Sequence, residues 1–570
     1  MGARGSSCCD RMEVIPTETV RAGAIPGEAT GPPEVKEEPS LELEPRQVSF
    51  HWGQRLARLE AMKVLEVDRE IIRSISLSSS LKRFGLLWQR VHMPFKVALE
   101  LTGADRSKLW EKSEPSDHFD VFLSHTWRTS GRWKVLSLLF QYCWPIVMVS
   151  WLCVVAVAFL LSCLGALPMP LVFKINVLGF QAACPAAPWT LLSGSLAVPI
   201  SLLLSPYILC NSPKCFLDVV SIHQTDSELM ERGVHGLGGF LSVSQELRVL
   251  WSPPYLTRLW CVFEIGAFRK ANPKGRLSLM PLFVERQVFL TILGNNAAAG
   301  MMCAIFASDL DVRFSIPLSF LAVSPILFIV HGLRIFMREK HQLIAALKDF
   351  RLEDAGYSLE HDREFVHTAI TAWYSSPEAF SDYVRGPLCQ ELTGMIATRL
   401  PLSYGMLCMT GPLGIGLDVL AALIHGGAPI ESALSEFLGS WFGYVLFGNL
   451  LVFNAMWRLC DRYAAKSGST VLDFGKSILL FICFFVMFFA DFALTDLLYT
   501  TTLWGGIAFA VASLPLVLLV YGKCSWTAWA SQDQAEAGED REAAVETEEP
   551  EALPEPKASK SQEGRKVREM

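Results

Sequence analysis

Ser124 and His125 are neighbours at the end of the apolar run Phe119-Asp-Val-Phe-Leu-Ser124. A hydroxyl beside an imidazole is the pairing that activates a nucleophile. Consecutive side chains on a strand point to opposite faces, however, so these two are not expected to meet. His223 lies between Asp218 and Asp226, but no His/Cys cluster has metal-ligand spacing, so a solvated loop and no metal site are expected there. The chain has no phosphate-binding glycine loop, kinase signature or G-x-S-x-G turn. No basic–aromatic pattern points to nucleic acid. A second group of polar residues, Asp418, Asn449, Asn454, Asp491 and Asp496, lies within strongly apolar segments. Ionisable groups at membrane depth are costly, which makes a cation or proton pathway the functional hypothesis for them. Against it, no internal repeat with corresponding broken helices is visible.

The elements that position these residues are of two kinds. The chain has 570 residues, 51% hydrophobic and only 19% charged, with mean hydropathy +0.32; soluble domains carry roughly 25% charge. Eight apolar stretches, near Cys143–Cys163, Trp189–Cys210, Val288–Ala307, Ile316–Met337, Pro401–His425, Phe437–Met456, Ile478–Leu498 and Thr501–Tyr521, each supply the roughly 20 residues that cross about 30 Å of hydrocarbon. The third is interrupted by Asn295 and Asn296. Between the second and third, the pattern turns to strand–helix alternation. FDVFLS, CFLDVVSI, ELRVLWS and RLSLMPLFV read as buried parallel strands. Met230–Ser244 is apolar but glycine-rich, so its first half is expected as helix or loop. Leu259–Ala271 reads as a helix ended by Asn272-Pro273. This alternation predicts a doubly wound parallel sheet, with ligands beyond the carboxyl ends of its strands. Ser124, His125, Thr126 and Trp127 would stand at that edge.

Basic residues set an orientation. Segments 211–287, 338–400 and 457–477 hold nine, seven and four Lys/Arg, whereas the alternate loops hold only Lys174 and Arg313. Eight spans with both termini cytosolic place every basic segment on one side. The resulting organisation begins with a disordered tail at 1–48 and amphipathic helices at 49–112. An α/β domain follows from 113–140 and 211–287, with a transmembrane hairpin at 141–210 inserted in it. A second hairpin at 288–337, a cytosolic helical segment at 338–400, four transmembrane helices at 401–521 and an acidic disordered tail at 522–570 complete it. In the helical segment, Ser376-Pro377-Glu378 reads as a cap and N1 proline. The opening Met1-Gly-Ala-Arg-Gly-Ser6 matches the N-myristoylation pattern with Gly2 as acceptor, and Cys8 and Cys9 follow it. The 15 cysteines show no paired spacing and read as small buried hydrophobes. The net charge of −7 comes largely from the C-terminal tail.

FDVFLSHTW, then CFLD, then ELRVLWSPPYLTRLWCVFEI resemble, in that order, the opening strand, the second strand and the third strand with catalytic helix of Toll/interleukin-receptor (TIR) domains. Two departures stand out: a membrane hairpin replaces or extends the first helix, and Met230–Ser244 is glycine-rich. Together with the apolar stretches, the resemblance implies a multi-pass α-helical membrane protein with a cytosolic α/β, TIR/flavodoxin-like parallel-sheet domain. Many TIR domains are adaptors that self-associate, and others cleave the nicotinamide–ribose bond of NAD with a glutamate on the Trp-x-x-x-Glu helix. By that motif the catalytic residue is Glu264, with Trp260 one turn earlier. Ser124, His125, Thr126, Trp127 and Trp260 would then line the NAD pocket. NAD would be a substrate, with no resident cofactor. The implied function is signalling or sensing at a membrane, with the plasma membrane favoured. The alternative is an ion or solute transporter regulated by the TIR-like domain.

Overall fold

The structure is a computed structural model that describes residues 65–90, 103–209, 212–308, 310–357, 359–395 and 400–522. The two expected tails and the acylation site at Gly2 lie outside these residues.

Six strands form one sheet: β1 (Arg73–Ser76), β2 (Glu114–Pro115), β3 (Phe119–His125), β6 (Lys214–Phe216), β7 (Ser244–Trp251) and β8 (Arg276–Pro281). A separate hairpin is built from β4 (Leu171–Val177) and β5 (Phe180–Ala186). The order across the sheet is β2-β1-β6-β3-β7-β8. β6, β3, β7 and β8 run parallel, and β1 adds antiparallel to the β6 edge. β3 therefore lies between the next two parallel strands of the chain. The chain reverses direction across the sheet at that point, and in open sheets of this kind ligands bind outside the carboxyl ends of the strands there.

The four expected parallel strands are present, with shorter bounds for two. CFLDVVSI stops being strand at Phe216, and Asp218–Ser221 coils into a helical turn. RLSLMPLFV ends at Pro281, where the next helix begins. The reading of 49–112 as amphipathic helices needs correction. Leu77–Arg90 and Gly103–Trp110 are helical, but Arg73–Ser76 is a strand. Its Ile75 pairs with Cys215, a partner remote in sequence that local periodicity does not encode. Met230–Ser244 folds as parts of two short helices, Ser227–His235 and Leu237–Ser242, and then enters β7.

Parallel strands need a crossover connection. From β3 to β6 this connection is two helices, Gly131–Cys163 and Trp189–Ile208, joined by the β4–β5 hairpin. The first helix has 33 residues, or about 50 Å, more than the ~30 Å a bilayer core requires. Its opening turns share a core with Val121 and Leu123 of the sheet through Val135 and Leu138, and the remainder continues as an apolar helix. The two helices meet closely: a Cβ on Gly194 would sit 2.8 Å from Trp151 Nε1. Among the described residues, seven helices are long and apolar enough to cross a membrane. They become eight when Leu402–Cys408 and Thr410–His425, bent by 54° at Met409, are taken as one span. The Asn295–Asn296 interruption does not break its helix, Leu282–Phe306. Asn295 donates to Cys408 O at 2.8 Å, and Asn296 Oδ1 accepts from Ser195 at 2.5 Å.

The two faces of the sheet feed different cores. Val121 and Leu123 join a cluster that runs through Phe140 and Trp151 into the spans. Phe122 stacks on Phe216 at 4.2 Å, in a core shared with Phe263 and Phe268 of the Leu259–Ala271 helix. Helices from 338–400 cover that helix: Tyr374 donates to Gly266 O at 3.0 Å, and Trp373 lies 5.6 Å from Phe263.

Candidate active site at the carboxyl end of β3

Alternation along β3 sends Ser124 and His125 to different surroundings. The Ser124 hydroxyl donates to the Glu264 carboxylate and also meets the Tyr255 hydroxyl. Three elements converge there: the end of β3, the turn after β7 that carries Tyr255, and the second turn of Leu259–Ala271. Tyr255 is fully buried and also reaches Cys261 O at 3.3 Å. Glu264 is half-buried. Burial pushes its carboxyl up to about 8; the Ser124 hydrogen bond works against this rise, and the Asp218 charge adds to it. At neutral pH this acid therefore holds its proton.

His125 faces a second group. Its ring lies 5.1 Å from Trp88 and 4.5 Å from Trp127, and its Nε2 is 3.9 Å from Asp218 Oδ1. Burial, then the charge of Lys134, hold this imidazole well below its ordinary range, so it is neutral. Trp127 Nε1–H donates to Asp218 Oδ2 at 2.7 Å, and burial raises the Asp218 carboxyl. Lys134, fully buried, points its amine at the Trp127 ring from 4.5 Å and at Trp88 from 5.9 Å. That amine has no hydrogen-bond partner among the described residues. Thr126 is buried in the turn, where its Oγ1 accepts from the Arg128 amide at 3.2 Å.

Of the residues singled out in the sequence, Ser124 and Glu264 are brought together. His125 and Trp127 form the adjoining aromatic group, and Thr126 shapes the turn between them. The recorded ring contacts of Trp260 are with Phe263 at 5.4 Å and Phe365 at 5.8 Å, which is packing against the 338–400 helices. Sequence reading weighed Asp218 only as a flank of His223 and gave no role to Tyr255, Lys134 or Trp88. A lone lysine in the apolar run Trp133-Lys-Val-Leu-Ser is the one signal that could have drawn attention to Lys134. No group of three or more His, Cys, Asp or Glu side chains able to hold a metal occurs among the described residues.

The acids of the spans have different surroundings. Asp418 accepts from the backbone amides of Thr190 at 2.9 Å and Leu191 at 3.0 Å. It thus satisfies donors in the first turn of Trp189–Ile208, where negative charge is favoured. One Asp491 oxygen has no hydrogen-bond partner among the described residues.

Comparison with family models, curated proteins and solved structures finds no match to this chain. The chemistry of the site is therefore argued from its own geometry: a proton-holding carboxylic acid and two hydroxyls in contact with each other, with a neutral imidazole on the next strand residue, at the carboxyl end of a parallel sheet.

Proposed function

We propose that this chain is a polytopic membrane protein that signals or senses at the membrane through a cytosolic TIR-like domain. The domain serves as an assembly module, and Glu264 is the residue through which it would cleave NAD. The observation that carries this reading is the convergence of Glu264, Ser124 and Tyr255 at the chain-reversal point of the parallel sheet. Supporting it are the strand order and the basic segments that orientation rules collect on the cytosolic side with both termini.

Departure of neutral nicotinamide leaves a ribosyl cation with oxocarbenium character. A carboxylate beside it stabilises that charge or orients the attacking hydroxyl. Glu264 does this only when ionised. With its proton held to about pH 8, the resting site is poorly armed. The positive nicotinamide ring of bound NAD would draw the proton off by favouring the charged form. Ser124, donating to the carboxylate, stabilises the same form.

The test is NAD cleavage by purified full-length protein, in dilute and clustered form, beside Glu264→Gln. Wild-type protein that binds and cleaves no NAD even when clustered would leave the assembly role alone. Undiminished activity in Glu264→Gln would remove Glu264 from the reaction. The transporter alternative loses support at Asp418, whose oxygens are engaged by a helix terminus.

A further inference from the structure

A strained, exposed turn lies where the sheet meets the spans. Within Leu77–Arg90 the helix is broken, and Arg83, Phe84 and Gly85 all take left-handed backbone, with φ of 54°, 57° and 65°. For glycine this is free; for arginine and phenylalanine it carries a conformational cost that surrounding contacts must hold in place. Those contacts are visible. The Arg83 amide donates to the Tyr207 hydroxyl at 2.9 Å, and Gln89 Nε2 donates to Phe84 O at 2.8 Å. A Cβ at Gly85 would sit 2.2 Å from Val135 Cγ2, so only glycine lets the turn approach this closely.

What the turn presents is an apolar ring beside two cations. Phe84 is 70% exposed, and Lys82 and Arg83 are exposed beside it. Neither cation forms an ion pair with a carboxylate among the described residues. The turn is fastened to Tyr207, in the last turn of the apolar helix Trp189–Ile208, and Lys82 Nζ lies 5.9 Å over the Tyr207 ring. Tyr207 is exposed, as are Leu203, Leu204 and Ile208 on the same helix. The turn is thus continuous with the apolar surface of a span and sits at its end, the depth where aromatic and basic side chains anchor proteins to headgroups.

We propose that Lys82, Arg83 and Phe84 form a built interface anchor, with the Phe84 ring seated among acyl chains and the two cations binding anionic phospholipid headgroups. It rests on the reading of the apolar helices as membrane spans. The anchor holds the sheet at a set height, because Leu77–Arg90 follows β1 directly and packs on the first crossover helix through Gly85 and Val135.

A photoreactive benzophenone amino acid at position 84 of the full-length protein tests this in nanodiscs carrying alkyne-tagged phosphatidylserine or phosphatidylcholine at equal fractions. Leu204, exposed on the span, is the parallel control position. The expected result is lipid adduct at both positions, with serine-headgroup lipid favoured severalfold at 84 alone. Arg83→Ala should cut that preference by roughly fivefold, the worth of one basic residue near an anionic surface, with Lys82→Ala close behind. Adduct at 204 but none at 84, or a protein crosslink at 84, overturns the anchor. Adduct at 84 without headgroup preference overturns the role of the cations. Absence of adduct at both positions overturns the span reading and the anchor with it.

Discussion

Glu264 is a half-buried acid and Asp418 a buried one, and they differ most in what holds them. Asp418 is wired to two backbone amides, a fixed arrangement that uses both oxygens to satisfy the first turn of a helix. Glu264 is wired to the side-chain hydroxyl of Ser124, itself against Tyr255, at a sheet edge. Burial raises its carboxyl to about 8. Amides can only donate, so they favour an acceptor carboxylate and fix its place. Hydroxyls donate or accept, so they tolerate a change of protonation. Depth alone does not identify a functional acid; the chemistry of the partners does.

The comparison breaks most visibly through activity. Glu264→Gln is expected to reduce NAD cleavage about 10²–10³-fold, equivalent to roughly 3–4 kcal/mol of lost electrostatic stabilisation. Its expression and membrane insertion should stay unchanged. The stability of Glu264→Gln should also lose a pH dependence. The folded-state value of about 8 lies above the ordinary 4.5, so the folded chain binds this proton more tightly than the unfolded chain. That contribution is fully present below 4.5 and is lost as pH rises through 8. Melting curves of the wild type should therefore fall over that window more steeply than those of Glu264→Gln.

Asp418→Ala should do the reverse. It strands two buried amides and should cost about 2–4 kcal/mol, read as a lower melting temperature in detergent, while NAD turnover per folded molecule stays the same. Ion flux in liposomes that depends on Asp418 without any loss of stability would contradict its assignment as a cap. Ser124→Ala is a smaller change, about 1 kcal/mol for one hydrogen bond. Because Ser124 lowers the Glu264 value, its loss should move the rising limb of the pH–activity profile to higher pH. A downward move would mean that Ser124 does not favour the carboxylate. The smallest effect is at Ser376, whose side chain accepts from the Ala379 amide at 3.0 Å; Ser376→Ala should cost about 1 kcal/mol or less.

The sequence by itself determined the features that depend on composition and short-range spacing. Runs of about twenty apolar residues marked the long apolar helices. Buried apolar runs marked four parallel strands, and local signals marked two helix boundaries, the Ser376 cap and the Asn272 stop. Glu264 was singled out by motif, but its contact with Ser124, 140 positions away, came only with the tertiary structure. Only the tertiary structure decided who partners whom across long separations. Asp418 meets Thr190 across 228 positions, and Ser124 meets Tyr255 across 131. Lys134 lies against Trp127 because a crossover helix is laid on the sheet, and β1 is a strand because β6 offers an open edge. Trp260 and Glu264, one turn apart on one helix, have different neighbours because the helices of 338–400 cover one of them. Local sequence carries propensity and period; which side chain faces which depends on how distant elements stack, and no local pattern holds that information.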